Sequence, residues 1–108
     1  MKLIIAIVQE LDEPILSDYL VENGFRITKL KTSGGFLKEG NATLLIGVED
    51  DKLEECLEII EDNCKRRTTK TTYVNPGLDR SFLNTLPVEI TVGGATIFIL
   101  DVEQFIRY

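Results

Sequence analysis

Apolar residues occur along the chain in short blocks, and the spacing within a block alternates between that of strands and that of helices. Residues 2–8 are a continuous apolar run rich in isoleucine, and residues 42–48 form a second run of the same kind. Runs of this length predict buried central strands. Residues 25–32 mix apolar and polar positions with imperfect alternation and predict a third strand.

Two helices are predicted between these strands. The first takes Asp12 as its N-cap and Pro14 in its first turn, and Gly24 is placed to end it. The second begins near Asp50 and Asp51, and its apolar stripe is formed by Leu53, Cys56, Leu57, Ile60 and Cys64. Such a stripe predicts one buried face.

The last third of the chain contains a hairpin and a segment without periodicity. Residues 88–92 alternate cleanly before two glycines, which predicts a tight turn and a returning strand over 95–100. Residues 67–87 show no periodic pattern, and we predict a long loop there. A loop of this length is either a solvated mobile segment or a regulatory, ligand-covering one.

The predicted order is β-α-β-β-α-β with the last strand expanded into a hairpin, which is an α+β, ferredoxin-like arrangement in a single domain, 1–108. Two helices cover only one face of such a sheet, yet residues 2–8 and 42–48 are apolar at every position except the polar Lys2 and Thr43. Because a bare apolar face is a large sticky patch, we predict closed self-association into a homo-oligomer.

Charge and composition narrow the functional classes. The net charge is −6 and the chain contains no histidine. A broad nucleic-acid surface is not expected, because it needs a basic field, and Ser-His or Cys-His catalysis is excluded. Cys56 and Cys64 are expected to be buried in a reducing cytosol, and no metal or other cofactor is expected. No apolar run predicts membrane insertion, and residues 2–8 are interpreted as a strand rather than a signal peptide.

One short region concentrates groups suited to binding a small anion. Arg26 and Lys29 supply positive charge, and two adjacent glycines at 34 and 35 allow close backbone approach. Phe36 can stack on a base, and Asn41 offers both a donor and an acceptor. Each feature alone is ordinary, since a double glycine is usually a turn and an arginine on a strand is usually solvated. Their proximity predicts a ligand site.

The same region carries a family resemblance. The stretches 2–9, 25–30, 32–43 and 88–98 resemble the PII-like cyclic di-AMP receptor family, and Gly34-Gly35-Phe36-Leu37-Lys38-Glu39-Gly40-Asn41 is the specific part. The closing segment 97–103 resembles the wider PII signalling superfamily. Gly24 departs from the asparagine of the family pattern, and 67–87 matches it poorly.

The resemblance implies a cytoplasmic homotrimer, not an enzyme, that binds cyclic di-AMP in clefts between subunits and controls an unidentified protein partner. It implies a short T-loop at 33–41 and an enlarged B-loop at 67–87, both ordering on binding. It places these residues around the ligand: Arg26, Thr28, Gly35, Phe36, Leu37, Asn41, Gly47 and Phe98. Lys29 joins them as the second cation of the site predicted from the residues themselves.

Three other functions are weighed against this interpretation. A nitrogen-type PII sensor would bind ATP or another adenine nucleotide, but the loop at 33–41 is too short for it. An acylphosphatase-type enzyme shares the ferredoxin-like fold, but fold alone does not establish activity, and no catalytic constellation is visible. A metal-tolerance trimer would need better ligands than two helical cysteines.

Overall fold

The computed structural model describes residues 1–30, 40–74 and 85–108, and for residues 70–74 and 85–88 it describes the backbone alone. The strands and helices follow one another in the predicted order, with one strand added. In chain order the elements are β1 (Lys2–Gln9), α1 (Glu13–Glu22), β2 (Arg26–Leu30), β3 (Asn41–Val48), a 3-10 turn (Asp50–Lys52), α2 (Leu53–Cys64), β4 (Arg67–Val74), β5 (Thr85–Val92) and β6 (Ala95–Asp101).

The main sheet has four antiparallel strands in the order β2-β3-β1-β6. β1 lies between β3 and β6, which agrees with its continuous apolar sequence. The arrangement is a small α+β fold consistent with the predicted ferredoxin-like architecture. The hairpin of β4 and β5 forms a separate two-stranded sheet, inserted between α2 and the last strand. The predicted hairpin of 88–92 with 95–100 is therefore wrong, because β5 pairs with β4 while β6 pairs with β1 in the main sheet.

One face of the four-stranded sheet packs against both helices, and we call it the covered face. Its apolar side chains on β1 and β3 are almost fully buried and pack against Leu16 and Leu20 of α1 and against Ile60 of α2. They are Ile4, Ala6, Val8, Ala42, Leu44, Ile46 and Val48, while on the edge strands Ile27 and Ile97 are partly buried and Ile99 is 45% exposed. Cys56 and Cys64 are buried in the same core, as predicted.

The alternate residues of the same strands point to the opposite side, which we call the open face. Among the described elements, neither helix packs on it. Its apolar residues are Leu3, Ile5, Ile7, Leu45, Phe98 and Leu100. Those on β1 are half-buried, whereas Phe98 on the edge strand is 52% exposed. The prediction that the central strands are apolar on both faces is therefore confirmed, while self-association stays a prediction.

The hairpin corrects part of the prediction of a loop over 67–87. Residues 67–74 form β4, which pairs with β5 from Arg67↔Val92 to Val74↔Thr85. The segment is rich in threonine, and β-branched residues favour strands even without apolar alternation. A search for apolar periodicity could not detect a strand whose residues are mostly polar. Residues 75–84 lie outside the described part of the chain.

Partly buried polar contacts attach the base of this hairpin to the main body. Asp12 precedes α1 as predicted, but its carboxylate does not cap the helix. It accepts hydrogen bonds from Arg67, with Nη2–Oδ1 at 2.7 Å and Nη1–Oδ2 at 3.4 Å. The Gly93 amide donates to Gln9 Oε1 at 2.7 Å. An isolated two-stranded hairpin is marginal in water, so these contacts fix its orientation.

Candidate functional site

A groove of about 700 Å³ opens at one end of the open face. Strands β2 and β3, the start of β1 and the segment after β6 form its walls. Its described lining consists of Met1, Leu3, Asn23, Gly24, Phe25, Arg26, Thr28, Leu45, Gly47, Val48, Glu49, Lys52, Val102, Phe105 and Arg107. Its volume lies within the range of small-molecule sites in proteins.

Strand register brings three of the predicted site residues into this groove. Arg26 pairs with Gly47, and Thr28 pairs with Leu45, so Arg26 and Thr28 lie on the open face, two residues apart. At Gly47 an added Cβ would meet nothing within 4 Å, which shows that the space above this backbone is open. Leu3 and Leu45 line the apolar floor. The groove therefore combines an apolar surface with a hydroxyl and a guanidinium group.

Positive charge in the groove comes from three separate parts of the chain. Arg26 lies on β2, Lys52 precedes α2, and Arg107 is in the C-terminal segment. Two carboxylates are close by, since Glu49 lines the groove and Glu55 Oε2 lies 3.5 Å from Lys52 Nζ. Arginine and lysine bind phosphate oxygens, and arginine can do so with two parallel hydrogen bonds. The lining thus suits an anionic ligand with an apolar or aromatic part.

Lys52 and Arg107 were missed in the sequence analysis. They are 26 and 81 positions beyond Arg26 in the printed sequence, and no local motif links them to it. Only the tertiary arrangement shows that the 3-10 turn and the C-terminal segment approach the end of β2. Phe105, another groove residue from that segment, was missed for the same reason.

Lys29 does not lie with the other predicted site residues. It pairs with Leu44 and is therefore on the covered side of the edge strand β2. Its Nζ lies 3.5 Å from Oε1 of Glu13, which is nearly buried at the start of α1. In this structure Lys29 joins β2 to α1, and the groove is on the other side of the strand.

The remaining predicted residues are placed as follows. Asn41 begins β3 and pairs with Gln9, on the open face but six positions from Gly47. At about 3.4 Å per residue this separation is roughly 20 Å. Phe98 pairs with Ile5 in the middle of the open face. Neither residue lines the groove. Gly35, Phe36 and Leu37 lie outside the described residues, so their assignment stays a prediction.

Other kinds of site receive no support within the described ranges. No group of histidine, cysteine, aspartate or glutamate residues there is arranged to hold a metal ion. Burial raises the pKa of Cys56 and of Cys64 to about 11 each, which keeps both thiols protonated and unreactive near neutral pH. No helix in these ranges is long and apolar enough to cross a membrane.

Comparison with known proteins identifies a protein family that matches the chain. The family model described as "Cyclic-di-AMP receptor" matches residues 1–108. A solved structure, described as a functionally unknown protein from Pediococcus pentosaceus ATCC 25745, is 41% identical with a TM-score of 0.77. The match covers 99% of this chain and 96% of that chain.

Proposed function

The chain belongs to the cyclic-di-AMP receptor family, and we propose that it is a signal-transduction receptor that binds cyclic di-AMP at the groove of the open face. The observation that carries this proposal is the convergence of Arg26, Lys52 and Arg107 on an apolar groove. The family is described as a receptor, which agrees with a binding role rather than with catalysis.

The chemistry of the ligand matches that of the groove. Cyclic di-AMP carries two phosphodiester charges and two adenines. Charge-assisted hydrogen bonds contribute about 1.5–3 kcal/mol each, and a stacked base contributes about 1–3 kcal/mol. Binding with a dissociation constant on the order of micromolar requires about −8 kcal/mol. Two cationic contacts and two stacked bases sum to roughly 5–12 kcal/mol before the costs of ordering, a range that includes this value.

The proposed binding site lies between subunits of a homotrimer. Asn41 and the groove are at opposite ends of the same strand, roughly 20 Å apart at about 3.4 Å per residue. A folded cyclic dinucleotide does not span that distance within one subunit. Symmetric packing of open faces would bring Asn41 of one copy toward the groove of the next, and would also remove the apolar face from water.

We propose that signalling follows from a conformational change of chain segments around the ligand. We propose that the loop at 33–41, with Gly35, Phe36 and Leu37, closes over the ligand in the cytoplasm, and that this change controls a protein target. The segment 75–84 at the end of the β4–β5 hairpin is a second candidate for such a change. A ligand that binds one loop conformation better than another shifts the population toward it.

Calorimetry on the purified protein tests the ligand. We expect saturable binding of cyclic di-AMP, and much weaker binding of cyclic di-GMP and ATP. Tight binding of ATP without binding of cyclic di-AMP would instead identify a PII-type adenine-nucleotide sensor. For the site, we expect Phe36→Ala and Asn41→Ala to weaken binding at least tenfold, and unchanged affinity in both would refute this placement. Light scattering tests the trimer, and a monomeric mass would contradict the inter-subunit site.

A further inference from the structure

The outward side of α1 carries an apolar stripe that the core does not use. Ile15 and Tyr19 are four residues apart on α1 and are 57% and 49% exposed, and Leu11, in the turn before the helix, is 66% exposed. Residues spaced by four lie on the same side of a helix, so their side chains form one surface. Leu16 and Leu20 already fill the contact of α1 with the sheet, and both are fully buried. The stripe is therefore not explained by packing within the described part of the chain.

Helix α2 shows what an ordinary outward face looks like in this fold. Both helices pack on the covered face, but the outward residues of α2 are acidic and exposed: Glu54, Glu55, Glu58, Glu61 and Asp62. An amphipathic surface helix normally has this division. The outward face of α1 differs, because it has apolar residues at neighbouring positions. These residues form one apolar patch rather than single exposed side chains.

The stripe has an acidic border. A shallow cavity of about 250 Å³ is lined by Ile15, Asp18, Tyr19 and Glu22. The sequence of α1, EPILSDYLVE, contains no lysine or arginine. Among the described residues, neither Asp18 nor Glu22 takes part in an ion pair. The surface thus offers apolar contacts together with negative charge that no described cation pairs with.

We propose that this surface, the α1 stripe with Asp18 and Glu22, docks a basic amphipathic segment of a partner protein. Lysine or arginine side chains of that segment lie against the two carboxylates, and its apolar side chains fill the cavity beside Tyr19. The stripe is on the helix side of the sheet, and Asn23 and Gly24, which line the groove, follow directly after Glu22. The inference rests on the proposed function in one respect, namely that a receptor acts on a protein target.

The negative charge of this surface favours a basic partner segment over a second copy of the chain, a nucleic acid or a membrane. A second copy meeting the stripe around a twofold axis would bring the same carboxylates together, which is repulsive. Nucleic acids and anionic membrane surfaces are repelled by the same two groups. A cationic segment with apolar anchors is the partner class that both features attract.

The test uses a synthetic helical peptide of leucine and lysine, with a leucine–glutamate peptide of the same pattern as its control. We expect the lysine peptide to shift amide resonances of residues 11–22 in the intact, isotope-labelled protein. Its affinity should exceed that of the glutamate peptide by at least tenfold and fall as salt is added. Shifts centred elsewhere, or equal affinities for both peptides, would overturn the proposal.

Two charge-reversal variants separate specific docking from general attraction to an acidic protein. The double variant Asp18→Lys, Glu22→Lys should bind the lysine peptide at least tenfold more weakly. Glu54→Lys with Glu58→Lys changes the net charge by the same amount on the outward face of α2, and should leave affinity within about twofold. Equal losses in both variants would refute a site on α1. All four positions are exposed, and circular dichroism checks that each variant is folded.

A third variant tests the apolar residues of the α1 surface. Titration with cyclic di-AMP distinguishes the docking proposal from the proposed receptor function. Ile15→Ser with Tyr19→Ser should abolish the α1 shifts while calorimetric binding of cyclic di-AMP is unchanged. Retained docking of the peptide in this variant would overturn the inference. Self-association of the protein through the α1 surface in the absence of peptide, seen as an increase in molecular mass, would overturn it too. Docking without any binding of cyclic di-AMP would refute the proposed function alone.

Discussion

The two faces of the four-stranded sheet are built from alternate residues of the same strands, but they serve different purposes. On the covered face, Ile4, Leu44 and Ile46 are fully buried under the helices. On the open face, Leu3, Ile5 and Leu45 are half-buried and Gly47 is exposed, and one end forms the cationic groove. The difference shows that a single apolar strand can supply the core of one molecule and, by its other side, an open surface, at which we propose association and binding.

Edge strand β2 shows the same division among polar residues. Arg26 and Thr28 lie on the side of the groove, whereas Lys29 lies on the other side and pairs with Glu13. One step along a strand reverses the side on which a side chain lies. Cations that are close in the sequence can therefore have unrelated roles. Variants at Leu44 and Leu45, and at Arg26 and Lys29, test this difference between the two sides of a strand.

The largest expected effect on stability comes from the adjacent pair Leu44 and Leu45. Leu44→Ala should lower the free energy of unfolding by about 2–5 kcal/mol, because it leaves a cavity in a closed core. Leu45→Ala should cost less than half as much at the low protein concentrations where subunits separate. Denaturant unfolding monitored by circular dichroism measures both. Equal losses would show that the two faces are equally closed within one chain.

An acidic residue on the open face should prevent assembly. Phe98→Asp would bury an unpaired charge in the proposed subunit contact, which costs about 3 kcal/mol or a hundredfold in the association constant. We expect light scattering to report the monomer mass at concentrations where the unsubstituted protein is trimeric. The matched control is Ile106→Asp, which is also exposed but lies outside the strands and does not line the groove. A trimeric Phe98→Asp variant would exclude this face as the contact.

The next prediction separates Arg26 from Lys29 by ligand affinity. Arg26→Met should weaken cyclic di-AMP by about tenfold to a hundredfold, since a charge-assisted hydrogen bond contributes about 1.5–3 kcal/mol. Lys29→Met should change the dissociation constant less than threefold, because it is on the covered side of β2. Calorimetry measures both variants. A larger loss for Lys29→Met would support the role that the sequence analysis gave it.

Some of this arrangement could be predicted from the sequence, because apolar periodicity reports burial directly. β1, β3 and both helices were predicted within a few residues of their observed bounds. The polar strand β4 gave no such signal. Lys29 carried a signal that was not used, since a strand that directs Arg26 and Thr28 to one side directs Lys29 to the other. The contribution of Lys52 and Arg107 depends on tertiary contacts alone, and no spacing in the sequence encodes it.

The smallest expected effect concerns the exclusion of water from the covered face. The pKa values of the Cys56 and Cys64 thiols report this exclusion. Burial raises their pKa to about 11 in the folded chain, above the ordinary value of 9.0. The protonated thiols therefore contribute stability that is fully present below pH 9 and is lost as pH rises toward 11. At pH 10 the expected loss is about 1.4 kcal/mol per thiol, because the unfolded chain ionises first.

Unfolding measured from pH 8 to pH 10 in the protein and in a Cys56→Ala, Cys64→Ala variant isolates this effect. The variant starts from a lower stability because it has two cavities, so the quantity to compare is the change with pH rather than the absolute value. Lysines and tyrosines titrate similarly in both proteins and cancel in the difference. A parallel decline in the two proteins would mean that water reaches these thiols, and that the covered face is less closed than its burial indicates.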